Sequence, residues 1–92
     1  MEPVLEITES GRGGSIYYRE GANQIRFDWE FGGGSTLALL FGDTSEGWNE
    51  RYPWAAGRQE EIFEFVAKST VEQRARGHRY KIELDSGDIT IY

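Results

Sequence analysis

The clearest pattern along the chain is a strict alternation of apolar and polar residues over positions 25–31. Ile25, Phe27, Trp29 and Phe31 occupy every second position, and charged residues fill the positions between them. Successive side chains of a β-strand point to opposite faces of the sheet. This period of two therefore predicts a strand with one face in the core and the other in water.

Shorter apolar or alternating runs predict further strands on both sides of this one. Residues 4–7 and 16–18 precede it, with a glycine-rich turn over residues 11–14 between them. Near the end of the chain, residues 80–85 and 89–92 alternate around a Ser-Gly-Asp turn. That arrangement predicts a closing hairpin.

The run over residues 37–41 is apolar at every position, which is typical of a central strand or of one covered on both faces. The alternation of a strand separates Ala38 and Leu40 from the three other side chains. We expect the smaller set to point away from the helix. With Tyr17 and Tyr92 from other strands, Ala38 and Leu40 would then form an apolar patch on the outer face of the sheet.

Three consecutive glycines, followed by Ser35 and Thr36, separate the strand predicted over residues 25–31 from the strand predicted over residues 37–41. A phosphate-binding loop of the P-loop type needs a lysine, and it needs a helix directly after the loop to hold the phosphates. This segment contains no lysine and leads into a predicted strand. The glycines therefore predict a strand connection.

One long amphipathic helix is expected to begin near Pro53 and to end near Arg76, with Gly77 as its C-terminal stop. Its apolar arc consists of Ala55, Ile62, Phe63, Val66, Ala67 and Thr70. The element order β-β-β-β-α-β-β predicts an α+β fold. It would have a mostly antiparallel sheet of about five to six strands, one helix on one face, and a single domain over residues 1–92.

Composition narrows the possible functions. The net charge of −6 argues against binding to nucleic acid and to anionic membranes. No apolar run is long enough to span a bilayer, and residues 1–10 lack the pattern of a signal peptide. The chain contains no cysteine. These features favour a soluble protein in the cytoplasm, a reducing compartment.

Catalytic chemistry has little support in the sequence. His78 is the only histidine, and no nucleophile motif accompanies it. Adjacent strands would bring together two pairs of carboxylates, Asp28 with Glu30 and Glu83 with Asp85, as a cation site or an acid-base pair. Charge pairing with Arg19, Arg26 and Lys81 on the same solvent-exposed sheet faces explains this pattern without a site, and it is the interpretation that we favour. No catalytic residue, metal ligand or cofactor is predicted.

The most distinctive segment surrounds the expected start of the helix. It carries aromatic, cationic and amide side chains that suit a small anionic ligand or a protein contact: Trp48, Arg51, Tyr52, Trp54, Arg58 and Gln59. Arg58 opposes the helix dipole, and Gln59 lies within the apolar arc, where a buried amide needs partners. The alternative is structural, with both tryptophans plugging the edge of the core and the arginines stacked on them or paired with glutamates.

Three hypotheses for function follow. The first is a non-enzymatic module that binds another protein, which would be basic if charge guides association; an immunity- or antitoxin-like inhibitor is one version. The second is a small anionic-ligand binder or minor enzyme that uses the segment around the helix start. The third is a structural homodimer formed through the outer sheet face.

Overall fold

The computed structural model describes residues 2–92, which form a six-stranded antiparallel sheet with a long helix across one face. The strands are β1 (Val4–Ser10), β2 (Gly13–Glu20), β3 (Asn23–Phe31), β4 (Ala38–Phe41), β5 (Tyr80–Glu83) and β6 (Asp88–Ile91). The helices are α1 (Trp48–Arg51), a 3₁₀ turn (Pro53–Ala55) and α2 (Gln59–Arg74). The strands lie in the order β1-β2-β3-β4-β6-β5. The structure confirms the predicted α+β fold.

The core lies between α2 and the inner face of the sheet. The alternation in β3 buries Ile25, Phe27 and Trp29, as the sequence predicts. From the helix, Phe63 meets the ring of Phe27 at a centroid distance of 5.2 Å in an edge-to-face arrangement. Full burial of each such side chain contributes about 1.5–3 kcal/mol to stability. The other buried residues of α2 match the predicted apolar arc.

The long helix begins later than predicted. Pro53 starts the short 3₁₀ turn, and α2 begins only at Gln59. Gly57 interrupts the helix because its backbone is left-handed, with φ of 75°, a conformation that costs other residues about 1–2 kcal/mol. The sequence pattern missed this break because the apolar period continues across it through Ala55.

The predicted orientation of β4 is wrong. Leu40 pairs with Trp29 and is 1% exposed, and Ala38 is also buried, so both face α2. Leu39 and Phe41 face outward instead. The sequence favoured burial of the larger apolar set, whereas the cross-strand register with the inward-facing Trp29 decides which set is buried.

Two glycines assigned to the first turn belong to β2. Gly13 pairs with Ser10 and Gly14 with Glu9. A side chain at Gly14 would lie 2.9 Å from the indole nitrogen of Trp29 and against the carbonyl of Thr8. That indole nitrogen donates to the Thr8 carbonyl at 2.9 Å. Gly14 is therefore required where the Trp29 side chain crosses β2.

The glycine-rich segment after β3 connects two antiparallel neighbours, as predicted. The amide of Gly32 donates to the carbonyl of Leu37 at 2.9 Å, which closes the loop between β3 and β4. A strand follows the glycines, so the segment lacks the helix that a phosphate-binding loop needs. Within residues 2–92, no helix is long and apolar enough to cross a membrane.

Candidate functional site

The structure brings the six residues singled out around the helix start into one region, which we call the helix-start cluster. Its members come from α1, the 3₁₀ turn, the start of α2 and the residues that directly precede the last two elements: Trp48, Arg51, Tyr52, Trp54, Arg58 and Gln59. The segment after β4 and the end of β2 supply the residues around it. The contacts of each member show whether its polar groups are free to bind a ligand or are already paired within the protein.

Gln59 is buried, and its amide is fully used inside the protein. Its Nε2 donates to the carbonyls of Asp43 at 3.1 Å and of Leu84 at 3.0 Å. Its Oε1 accepts from the hydroxyl of Ser45 at 2.9 Å. These three bonds supply the partners that a buried amide requires. Gln59 thus joins the loop after β4, the β5–β6 turn and α2.

Asp43 binds two members of the cluster at once. Arg51 donates to one carboxylate oxygen at 2.6 Å, and the hydroxyl of Tyr52 donates to the other. Burial of the ring, together with this hydrogen bond, raises the pKa of Tyr52 to about 12. The phenol therefore stays protonated at neutral pH. The guanidinium of Arg51 extends from Asp43 into solvent, with 62% of the side chain exposed.

Both tryptophans pack within the protein. Trp48 is 3% exposed, and its indole nitrogen donates to the carbonyl of Ala55 at 2.9 Å. Trp54 is half-buried and stacks on Tyr18, with ring centroids 6.5 Å apart and planes 14° apart. Trp48 therefore plugs the edge of the core, and Trp54 covers the ring of Tyr18.

Arg58 lies between two carboxylates. It binds Glu20 at the end of β2 through two hydrogen bonds of 2.8 and 3.1 Å, and it also binds Glu61 at 2.8 Å. The hydroxyl of Tyr18 donates to Glu20 at 2.6 Å. The hydrogen bonds from Arg58 and then from Tyr18 lower the pKa of Glu20 to about 2. This network holds the start of α2 against the β2–β3 end of the sheet.

These contacts match the structural interpretation of the segment. An anion would have to displace Glu20 or Glu61 to reach Arg58. Arg51 is paired with Asp43, although 62% of its side chain remains exposed. Sequence analysis missed Asp43, Ser45 and Glu20 as the partners. Each lies in a loop or at a strand end, between 8 and 38 positions along the chain from the residue it binds, and no periodic pattern marks it.

The outer face of the sheet offers a different surface, centred on β4. Leu39 is half-buried and Phe41 is 38% exposed. On β3 their cross-strand neighbours are Glu30 and Asp28, and on β6 they are Thr90 and Asp88. Three of the four direct neighbours are therefore carboxylates, and none is a cation. We call Leu39 and Phe41 with these four neighbours the central patch.

The two tyrosines predicted for the outer face lie at different distances from the central patch. Tyr92 is 47% exposed, and it extends β6 two residues beyond Thr90, diagonal to Leu39. Tyr17 lies on β2, between Glu6 and Arg26 in register, and the guanidinium of Arg19 sits over its ring. Tyr92 is thus a diagonal neighbour of an apolar member of the patch, whereas β3 separates Tyr17 from Leu39 and Phe41.

The two predicted carboxylate pairs do not meet. Asp28 and Glu30 lie on β3, and Glu83 lies on β5, with β4 and β6 between these strands. Asp28 accepts hydrogen bonds from Arg26 on its own strand. In the part of the chain that the structure describes, no three side chains of metal-binding type are placed to hold an ion.

Comparisons of the chain with known protein families, with curated proteins and with solved structures found no match.

Proposed function

We propose that this protein is a non-enzymatic binding module whose central patch docks on a basic surface of another protein. The observation that carries the proposal is the position of Leu39 and Phe41. They lie side by side with Glu30, Asp28 and Asp88 in the middle of an open sheet face. Apolar anchors ringed by charge are typical of protein interfaces.

Charge favours a basic partner over a second copy of the chain. The protein carries a net charge of −6, and the ring around Leu39 and Phe41 contains carboxylates and Thr90. Two copies docked through this patch would oppose carboxylate to carboxylate, which opposes association. A partner with lysine or arginine around an apolar pocket would be attracted, with faster association at low salt. An inhibitor of a basic cytoplasmic protein is one form of this function.

The helix-start cluster is not part of the proposed binding surface. Its charged side chains already pair within the chain, through Asp43, Glu20 and Glu61. We therefore assign it the role of fixing α2 on the sheet, which leaves the central patch as the binding surface.

The proposal is tested by affinity capture from a native lysate with matched variants. Leu39→Ser combined with Phe41→Ser should reduce the captured partner at least about tenfold, because loss of an interface anchor typically costs 2 kcal/mol or more. Val4→Ser is the control, since Val4 is an exposed apolar residue on the edge strand, outside the patch. Circular dichroism of each variant verifies the fold.

A second set of substitutions tests whether the carboxylates beside Leu39 and Phe41 attract the partner. Glu30→Gln combined with Asp88→Asn should weaken capture and reduce its dependence on salt concentration, because both changes remove charge beside the anchors. Capture that is equal for the wild type and the Leu39/Phe41 variant would refute the proposal. A dimer in light scattering that Phe41→Ser dissolves would assign the patch to self-association instead.

A further inference from the structure

A cavity of about 250 Å³ lies on the inner face of the sheet, the face that α2 covers, near the C-terminal end of that helix. Its wall is apolar, formed mainly by Ile7, Ile16, Trp29, Phe31, Leu37 and Leu40. The volume is just below the range of about 300–1,000 Å³ that is usual for sites of drug-sized molecules. It therefore suits a smaller ligand with an apolar body.

The exposure of Phe31 marks the open end of this cavity. Phe31 continues the inward-facing alternation of β3, yet it is 41% exposed. Helix α2 ends at Arg74, so it leaves the last inward position of β3 uncovered. The ring of Phe31 meets that of Trp29 edge-to-face at 4.9 Å, which holds it beside the opening.

One polar group in the cavity wall lacks a partner. The side chain of Thr70 lines the cavity, and its hydroxyl oxygen is sealed from solvent with no hydrogen bond to any residue within 2–92. Leaving a buried hydroxyl without a hydrogen-bond partner is destabilising, because the group loses its bonds to water and gains none in return. A threonine in a helix has two accessible χ1 rotamers. Rotation about χ1 moves the hydroxyl to another staggered position on Cβ, and because the Thr70 side chain lines the cavity, this motion is able to turn the donor toward it.

The guanidinium group of Arg74 lies one helical turn after Thr70. Arg74 also lines the cavity, four residues after Thr70 and therefore on the same helix face. Its partner is Glu9 on β1, at 3.2 Å, and both side chains are nearly half exposed. An ion pair this exposed contributes little to stability, because water screens the attraction between its charges. A ligand carboxylate is therefore able to replace Glu9 at little cost.

We infer that this cavity binds a small aliphatic monocarboxylate, of the size of a medium-chain fatty acid. The hydroxyl of Thr70 and the guanidinium of Arg74 donate to its carboxylate, and the apolar wall covers its chain. Binding satisfies the hydroxyl of Thr70 and covers the ring of Phe31. The site is separate from the central patch, which lies on the opposite face of the sheet, so each function is tested without the other.

Octanoate is the probe, and the indole N–H signals of the tryptophans in ¹H–¹⁵N NMR spectra are the readout. The Trp29 signal should shift and saturate, while the signal of Trp48, buried at the helix-start cluster, should stay in place. 1-Octanol has a similar chain without the charge, and it should bind at least about tenfold more weakly, because hydrogen bonds to charged groups are the stronger ones.

Three variants assign the donors. Thr70→Val keeps the shape, should fold with at least wild-type stability, and should weaken octanoate binding about fivefold or more. Arg74→Met should weaken it at least about tenfold. Arg76→Met is the matched control, since Arg76 is an exposed cation that does not line the cavity.

Three results would overturn the inference. The first is no saturable shift of Trp29 with octanoate up to about 10 mM. The second is equal binding of octanoate and 1-octanol, since it excludes recognition of the carboxylate. The third is unchanged affinity in both Thr70→Val and Arg74→Met.

Discussion

At the scale of single residues, Gln59 connects the helix to two loops that the sequence places far from it. Its side-chain amide donates hydrogen bonds to the backbone carbonyls of Asp43 and Leu84 and accepts one from the hydroxyl of Ser45. The sequence marks Gln59 as unusual because the helical period places a polar group among apolar ones. It does not reveal the partners, which come from loops with no pattern of their own.

Replacement of Gln59 by alanine should lower the free energy of unfolding by about 2–4 kcal/mol, because it leaves buried carbonyls without donors. Glu60→Ala is the control, since Glu60 is an exposed neighbour on the same turn and should change stability by less than about 0.5 kcal/mol. Urea unfolding of the variants measures both. Equal losses in the two variants would show that the hydrogen bonds of Gln59 contribute nothing specific.

At the scale of the elements, the late start of α2 is set by the backbone of Gly57. The apolar period continues through Ala55, which favours one uninterrupted helix from Pro53. The chain instead makes a 3₁₀ turn and a left-handed residue before α2 begins. Trp48 is packed against this turn through its bond to Ala55. Tertiary packing thus overrides the local preference for a longer helix.

Gly57→Ala should lower the free energy of unfolding by about 1–2 kcal/mol, since alanine is strained at a left-handed φ. Gly33→Ala is the matched control, because both positions have open space for a methyl group and only Gly57 has a positive φ. Gly33→Ala should be neutral or slightly stabilising. Chemical denaturation distinguishes the two, and a stable Gly57→Ala variant would show that the break has another cause.

At the scale of the whole molecule, the bond between Glu20 and Arg58 ties the end of β2 to the start of α2, across 38 positions of the chain. The folded protein lowers the pKa of Glu20 from an ordinary value of 4.5 to about 2. Glu20 therefore stabilises the fold fully above pH 4.5, and this contribution is lost as the pH falls toward 2.

Glu20→Gln should be less stable than the wild type at neutral pH, and the difference should shrink as the pH falls from about 4.5 to about 2, because the wild-type carboxyl is protonated over that interval. Urea unfolding across this pH range measures the difference. Glu50→Gln is the control, since Glu50 is exposed on α1 and its replacement should change stability at neutral pH by less than about 0.5 kcal/mol. A constant difference for Glu20→Gln would contradict the assignment.

The sequence by itself determined the order of the strands and of the long helix, and the inner face of the central strand β3. Periods of two and of 3.6 fixed β3 and the buried arc of α2, because these patterns follow from local backbone geometry. The glycine segment after β3 was correctly predicted as a strand connection for the same local reason. The order of the elements then gave the fold class.

Only the tertiary structure decided which face of β4 is buried and which groups meet. Leu40 and Leu39 are both leucines, and the register with Trp29 sends one to the core and the other to the central patch. Register, loop paths and helix position depend on contacts between distant parts of the chain. The cavity beside Thr70 exists for the same reason, since it depends on where α2 ends above the sheet.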